Sequence, residues 1–227
     1  MSPSTHKSRV SSLEQSPLPD PLNNISPDAK IDKHANLNQY RRPGDGVKPI
    51  TIESGCTVLW KTSIKENVII HSNVYIDSDV HIGKNVEIGS GTKVGTDTKI
   101  EDSVHIGKDV KMESRTLIRK QAWIGDNVDI RGKHVGVGVR LGNGVLVMSD
   151  IGDETTVGKS TRIFYDAKIG RRVVIGEKVT VDIDSEIGDS AEIGNNVYLV
   201  RGVKIGARAI IEEGKTVEQD VAAGGRY

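Results

Sequence analysis

The stretch Ile82–Ile100, which reads IGKNVEIGSGTKVGTDTKI, repeats one pattern every six residues. Aliphatic residues stand at Ile82, Ile88, Val94 and Ile100, and a small or β-branched residue stands two positions before each of the last three. Glycine follows most of these aliphatic residues, and Asp, Asn, Ser, Thr and Lys fill the next places, which is typical of turns. Because a period of six drifts around a wheel of 3.6 residues per turn, the pattern excludes an amphipathic helix.

The same period extends through most of the chain in two uninterrupted series. The first series consists of Ile52, Val58, Ile64, Ile70, Ile76, Ile82, Ile88, Val94, Ile100, Ile106, Met112, Ile118, Ile124 and Ile130. The second consists of Val145, Ile151, Val157, Ile163, Ile169, Ile175, Val181, Ile187, Ile193, Leu199, Ile205, Ile211 and Val217, in a register that differs by three residues. Strands this short need partners, and a chain that coils so that each strand lies on the equivalent strand of the next coil pairs every backbone group. The sequence therefore predicts an all-β solenoid with columns of inward aliphatic side chains.

Three segments carry a resemblance to a known family. Ile82–Glu87, Ile124–Asp129 and Ile193–Tyr198 resemble the hexapeptide repeat of the bacterial acyltransferase superfamily. The resemblance implies a left-handed parallel β-helix, triangular in section, with three hexapeptides per coil. The length of the repeating region then corresponds to about ten coils, which at roughly 4.8 Å each make a prism close to 50 Å long.

Breaks in the period divide the chain. Residues 1–24 are rich in Ser and Pro, lack the period and are expected to be a disordered arm. The β-helix is expected to span residues 25–221, with interruptions near 41–51 and 131–144 that form bulges or loops at corners, and residues 222–227 are expected to be a C-terminal tail.

Composition narrows the possible partners. The chain has 31 Lys and Arg against 31 Asp and Glu, which argues against a nucleic-acid binder. Its single Cys excludes an internal disulfide framework and a thiolate cluster for zinc, and fits a reducing compartment. No stretch is long and apolar enough to span a membrane. We expect a cytoplasmic protein.

The family resemblance also implies an activity. Its enzymes move an acyl group from acyl-CoA or acyl carrier protein to an amine or hydroxyl, here of a small, sugar-like acceptor, with a histidine as the general base in a cleft between subunits of a homotrimer. His134 is the predicted base, because it lies inside the second interruption. The C-terminal stretch Val203–Val221 resembles the closing coils of acetyltransferases, which implies that Gly206 and Ala207 lie near the pantetheine of the acyl carrier. No metal ion is expected.

Other residues leave alternatives open. His81 and His105 are expected to face solvent, and His71 is expected to fill a corner without a partner. Ile69, Leu117 and Trp123 are apolar at outward positions that are normally polar, and Ile69 and Trp123 are expected to share one face as an apolar patch, most simply a subunit interface.

The segment Arg41–Ile52 resembles the arginine–aspartate loop of gamma-class carbonic anhydrases. The metal-ligand positions of that family fall on Lys65, Leu59 and Trp60, which excludes their zinc site. The alternative to an acyltransferase is a non-catalytic β-helix scaffold or assembly module, because the repeat is so regular.

Overall fold

The computed structural model describes residues 23–37, 46 and 48–227, and these residues form two-residue strands and no helix. The strands lie on three faces of a prism. The first face is an eleven-stranded sheet of β1 (Asn24–Ile25), β3 (Thr51–Ile52), β6 (Ile69–Ile70), β9 (Glu87–Ile88), β12 (His105–Ile106), β15 (Trp123–Ile124), β18 (Arg140–Leu141), β20 (Thr156–Val157), β23 (Val174–Ile175), β26 (Glu192–Ile193) and β29 (Ile210–Ile211).

The second face is also an eleven-stranded sheet. It consists of β2 (Lys30–Ile31), β4 (Thr57–Val58), β7 (Tyr75–Ile76), β10 (Lys93–Val94), β13 (Lys111–Met112), β16 (Asp129–Ile130), β19 (Leu146–Val147), β21 (Arg162–Ile163), β24 (Thr180–Val181), β27 (Tyr198–Leu199) and β30 (Thr216–Val217).

The third face consists of two shorter sheets joined by a single residue. They contain β5 (Ser63–Ile64), β8 (His81–Ile82), β11 (Lys99–Ile100), β14 (Leu117–Ile118) and β17 (His134–Val135), and then β22 (Lys168–Ile169), β25 (Glu186–Ile187) and β28 (Lys204–Ile205). Ile151 bridges Val135 to Ile169 between the two sheets. We call each strand position along a face a rung. Every pairing is parallel, as a β-helix requires, and the architecture is consistent with the predicted left-handed form.

The predicted inward columns are confirmed. Every member of the first series is buried, and so are the small residues two positions before them, such as Val86 and Thr92. The outward residue of each strand is exposed or half-buried. A fully buried aliphatic side chain contributes roughly 1.5–3 kcal/mol, so these columns supply the main stabilising term of the prism.

Buried hydroxyls in the columns are paired. The side-chain hydroxyl of Thr92 donates to the carbonyl of Gly107 at 3.0 Å, and that of Thr155 donates to the carbonyl of Gly170 at 2.9 Å. Inward threonines therefore lower the stability of the fold only slightly, because burying a hydroxyl is unfavourable mainly when it lacks a hydrogen-bond partner.

The second interruption differs from the expectation of a loop. Residues 131–144, all described, continue the coil through β17 and β18, and Val135, Val139 and Leu141 are buried. The register changes because two repeats are short: five residues separate Ile130 from Val135, and four separate Val147 from Ile151. Val145, the first member of the predicted second series, stands at the small inward position before β19.

The ends of the prism refine the predicted boundaries. Residues 1–22, which hold most of the predicted arm, and residues 38–45 and 47 of the first interruption lie outside the described residues. The first strand begins at Asn24, within the predicted arm. The C-terminal tail continues the coil past the last rung of the first face: Arg226 forms a parallel bridge to Ile210, and the backbone N–H of Tyr227 donates to the carbonyl of Ile210 at 3.0 Å.

Candidate functional site

His134 is the outward residue of β17 on the third face, and it is paired with a carboxylate. Its ring Nδ1 lies 2.9 Å from Oδ2 of Asp150, and its backbone N–H donates to Oδ1 of the same side chain at 3.0 Å. The backbone N–H of Lys133 also donates to Oδ1, at 3.1 Å. Since an ionised carboxylate only accepts hydrogen bonds, the contact places the ring proton on Nδ1 and leaves the lone pair of Nε2 free.

The short repeat before Ile151 creates this pair. Asp150 is the third residue after Val147, and the next residue, Ile151, bridges Val135. Asp150 therefore lies one rung above His134 on the third face. The two side chains are 55% and 58% exposed, so a substrate can reach the free Nε2. On the rung below, Leu117 is in register with His134 and provides a half-buried apolar neighbour.

A groove runs along the same face toward the C-terminal end. It has a volume of about 710 Å³ and its lining includes Lys168, Glu186, Lys204, Gly170, Gly188 and Gly206. Nζ of Lys168 lies 2.8 Å from Oε1 of Glu186, and Nζ of Lys204 lies 3.8 Å from the same oxygen. The hydrogen bond from Lys168 lowers the pKa of Glu186 below its usual range. The same lining also contains Asp189 and Asp220, so the two lysines stand among three carboxylates.

Gly206, one of the two predicted carrier contacts, lines this groove, whereas Ala207 lies just outside its lining. The rung of Gly206 is four rungs from that of His134, or about 19 Å at roughly 4.8 Å per rung. Glycine at this corner also has a structural cause. A Cβ on Gly206 would lie 2.3 Å from the backbone nitrogen of Ala223, and one on Gly188 would lie 2.5 Å from that of Ala207.

A second polar cluster, which the sequence interpretation missed, crosses the first face. We call Glu53, His71, Glu87, His105 and Trp123 the histidine ladder. Nδ1 of His71 lies 2.9 Å from Oε1 of Glu53, and its Nε2 lies 3.0 Å from Oε1 of Glu87. The other oxygen of Glu87 lies 3.3 Å from Nδ1 of His105. The rings of His105 and Trp123 stack with centroids 5.7 Å apart and planes inclined by 13°.

The ladder shifts the protonation of its members. The hydrogen bond to Glu87, followed by that to Glu53, raises the pKa of His71, although burial opposes the shift. Hydrogen bonds from Ser72 and His71 lower the pKa of Glu53, and the hydrogen bond from His71 lowers that of Glu87. Both ring nitrogens of His71 therefore face carboxylate oxygens, and the expectation that it fills a corner without a partner is wrong. The signal was a spacing of eighteen residues between Glu53 and His71 and between Glu87 and His105.

The other predicted positions are spread over the prism. His81 is exposed on the third face, as expected, whereas His105 belongs to the ladder. Ile69 and Trp123 share the first face, as expected, and are 38% and 41% exposed, whereas Leu117 lies on the third face.

Two further findings concern metals and membranes. Within the described part of the chain, no group of three or more His, Cys, Asp or Glu side chains is arranged to hold a metal ion. The segment Arg41–Ile52 falls largely outside the described residues. The described residues also include no helix that is long and apolar enough to cross a membrane.

Comparison with known proteins supports the repeat assignment. Residues 61–96 and 184–219 match the family described as "Bacterial transferase hexapeptide (six repeats)". No curated protein sequence matches the chain significantly.

Solved structures share the fold at low sequence identity. UDP-N-acetylglucosamine acyltransferase from Campylobacter jejuni is 19% identical, with 89% of this chain and 70% of that chain covered and a TM-score of 0.51. The corresponding enzymes of Francisella novicida (21% identity, 76% and 67% covered, TM-score 0.45) and Arabidopsis (19% identity, 91% and 70% covered, TM-score 0.43) also match. The hexapeptide match and the parallel β-helix confirm the predicted resemblance to the hexapeptide-repeat superfamily.

Proposed function

We propose that the protein is an acyltransferase that moves an acyl group from a thioester donor, acyl-CoA or acyl carrier protein, to an amine or hydroxyl of a small, sugar-like acceptor. The observation that carries the proposal is the pair of His134 and Asp150. An exposed imidazole with a fixed Nδ1 proton and a free Nε2 is what a general base for such an acceptor requires. The sugar acceptors named for the similar structures, such as UDP-N-acetylglucosamine, support the acceptor class.

His134 and Asp150 divide the work of proton transfer. Nε2 of His134 takes the proton of the acceptor hydroxyl or amine as the acceptor oxygen or nitrogen attacks the thioester carbonyl. The C–S bond then breaks, and the leaving thiolate takes the proton from the imidazolium. Asp150 stabilises the imidazolium between these steps and keeps the ring in one orientation.

The groove is the proposed path of the donor. A thioester arm lying along the corner from Gly206 and Ala207 would reach down the third face toward His134. Lys168 and Lys204 line this path and each offers an ammonium group to a phosphate group of a carrier, beside the carboxylates of Glu186, Asp189 and Asp220. The proposal includes a homotrimer with a cleft at the third face, and a cytoplasmic location, which suits the free, buried Cys56.

Acyl transfer measured in a matched set of variants tests the proposal. The parent protein, His134→Ala and His81→Ala are assayed with acetyl-CoA and with acyl carrier protein against amino- and hydroxy-sugars. His81 is the control, because it is exposed on the same face and is not part of the site. We expect His134→Ala to lower the rate by about 10²–10⁴-fold and His81→Ala to leave it unchanged. Transfer that survives His134→Ala would overturn the role of His134.

The second candidate function is a non-catalytic scaffold, which the regularity of the coil favours. In residues 48–227 the longest segment between consecutive strands is 148–155, and it is itself held to the third face through Ile151. Thermal unfolding with acetyl-CoA separates the two functions, because a ligand at a hundred times its Kd adds about 2.7 kcal/mol of stability. No shift with either donor and no transfer would favour the scaffold, and a monomeric solution mass would remove the proposed cleft.

A further inference from the structure

Trp123 occupies an unusual place on the first face. Its side chain is 41% exposed at the middle of an eleven-stranded sheet, where most outward positions are polar. In the sheet, β15 lies between β12 and β18, so His105 and Arg140 flank Trp123 on opposite sides. The His105 ring stacks against the indole, whereas Arg140 is exposed and makes no ion pair or ring contact with any described residue. An aromatic surface therefore stands next to a free guanidinium.

Both cationic side chains and a carboxylate lie near Trp123, since Glu101 accepts the backbone N–H of Lys120 at 3.1 Å at the corner before its strand. Arg119 and Lys120 are exposed at the corner that leads into its strand, and in the described part of the chain neither side chain is in an ion pair. The nearest carboxylate of the ladder, Glu87, is engaged by His71 and His105. Because Glu87 holds Nδ1 of His105, the Nε2 of that ring is left available to a ligand.

We propose that Trp123, Arg140 and His105 form a binding site for a planar anion, a ring that carries a phosphate or a carboxylate group. The indole offers a face on which a ring can stack, and stacking of this kind tolerates many ring structures. The guanidinium of Arg140 matches a phosphate or carboxylate in two parallel hydrogen bonds. The site lies on the first face and the proposed acyl-transfer site on the third, so the binding does not depend on the proposed activity.

The two tryptophans of the chain allow a direct test. Trp60→Phe leaves Trp123 as the single fluorophore, and Trp123→Phe leaves Trp60 as the matched control. Each variant is titrated with UMP for the phosphate, orotate for the carboxylate and uridine as the neutral ring, with calorimetry as the second readout. We expect saturable quenching of Trp123 by UMP, orotate or both, and none of Trp60. Uridine should bind at least about tenfold more weakly.

Further variants assign the contacts. Arg140→Ala should remove the preference for the anion over uridine, and Arg140→Lys should restore only part of it, since lysine keeps the charge without the planar fork. His134→Ala should bind as the parent does, which separates this site from acyl transfer.

Three outcomes would overturn the proposal. They are equal binding of uridine and the anions, an equal response of the two single-tryptophan variants, and no binding of either anion. A change in Trp123 fluorescence on dilution instead of on ligand addition would show that a second copy of the chain covers this surface, and would likewise contradict a ligand site.

Discussion

The two carboxylate oxygens of Asp150 contact the backbone and the ring of His134: Oδ1 accepts the backbone N–H at 3.0 Å, and Oδ2 lies 2.9 Å from the ring Nδ1. This arrangement fixes both the position of the strand and the orientation of the imidazole. It depends on the short repeat that places Asp150 sixteen residues after His134 instead of the usual eighteen. The break in the period and the candidate site are therefore the same feature.

Asp150→Asn should lower kcat for acyl transfer about tenfold or more, which corresponds to about 1.4 kcal/mol in the barrier. The amide removes the charge that stabilises the imidazolium and can donate to Nδ1, which favours the wrong tautomer. Steady-state kinetics with KM and kcat separated provide the measurement. Asp102→Asn is the control, because Asp102 also accepts a backbone N–H from the neighbouring rung, that of Lys84 at 2.8 Å, but contacts no histidine. An equal loss in both variants would point to a structural effect.

The histidine ladder should make stability depend on pH. The pKa of His71 is raised in the folded protein, so its contribution is fully present below the unfolded pKa of about 6.5 and is lost as the pH rises through the folded pKa. The pKa values of Glu53 and Glu87 are lowered, so their contributions are lost as the pH falls through those folded values. The ladder is therefore most stabilising at pH values above the folded pKa values of Glu53 and Glu87 and below that of His71.

His71→Gln should therefore lose most stability relative to the parent protein at mildly acidic pH, and the difference should shrink toward alkaline pH. Urea unfolding at a series of pH values measures it. His81→Gln, which removes an exposed histidine outside the ladder, should follow the parent's pH dependence. A difference for His71→Gln that grows with pH would contradict the raised pKa of His71.

The inward columns predict a contrast between adjacent residues. Ile100 is 1% exposed, whereas its strand neighbour Lys99 points outward. Ile100→Ala should cost about 2–5 kcal/mol of unfolding free energy, because it leaves a cavity in a packed column. Lys99→Ala should change that free energy by less than about 0.5 kcal/mol. Equal effects in urea unfolding would be incompatible with the column.

Two kinds of corner glycine should respond differently to substitution. A Cβ on Gly89 would lie 2.5 Å from the backbone of Gly107, so Gly89→Ala should destabilise the prism strongly. Gly202 has φ +76 and nothing within 4 Å of an added Cβ, and Asn196 occupies the equivalent corner position with φ 56. Gly202→Asn should therefore be tolerated, since Asn adopts the left-handed region more readily than most residues. Thermal unfolding of both variants measures the contrast, and similar losses would contradict it.

The periodicity predicted the parallel β-helix and its interior because one rule governs nearly every coil. Buried positions such as Ile82 and Val86 follow from the six-residue period alone. The period could not resolve the break, because Val145 and Val147 are both aliphatic and the three missing residues are divided between two repeats. Only the coordinates show that the division places Asp150 beside His134.

The ladder could have been predicted in part. Glu53 and His71 are eighteen residues apart, as are Glu87 and His105, and this spacing puts side chains on adjacent rungs. The contact between His71 and Glu87 spans sixteen residues, because Glu87 is the outward residue of a strand and His71 lies at a corner. The spacing of eighteen residues therefore does not predict it. The roles of Gly206 and Ala207 stay predictions, because the backbone contacts at this corner explain the glycine without a ligand.

The tautomer of His134 shows whether Asp150 orients this imidazole as a base. Nitrogen-15 NMR of the histidine rings, with His134 assigned by comparison with His134→Ala, distinguishes a proton on Nδ1 from one on Nε2 at neutral to alkaline pH. We expect the Nδ1–H form in the parent protein and its loss in Asp150→Asn. An Nε2–H form in the parent, or a tautomer that Asp150→Asn leaves unchanged, would show that Asp150 does not orient His134 as a base.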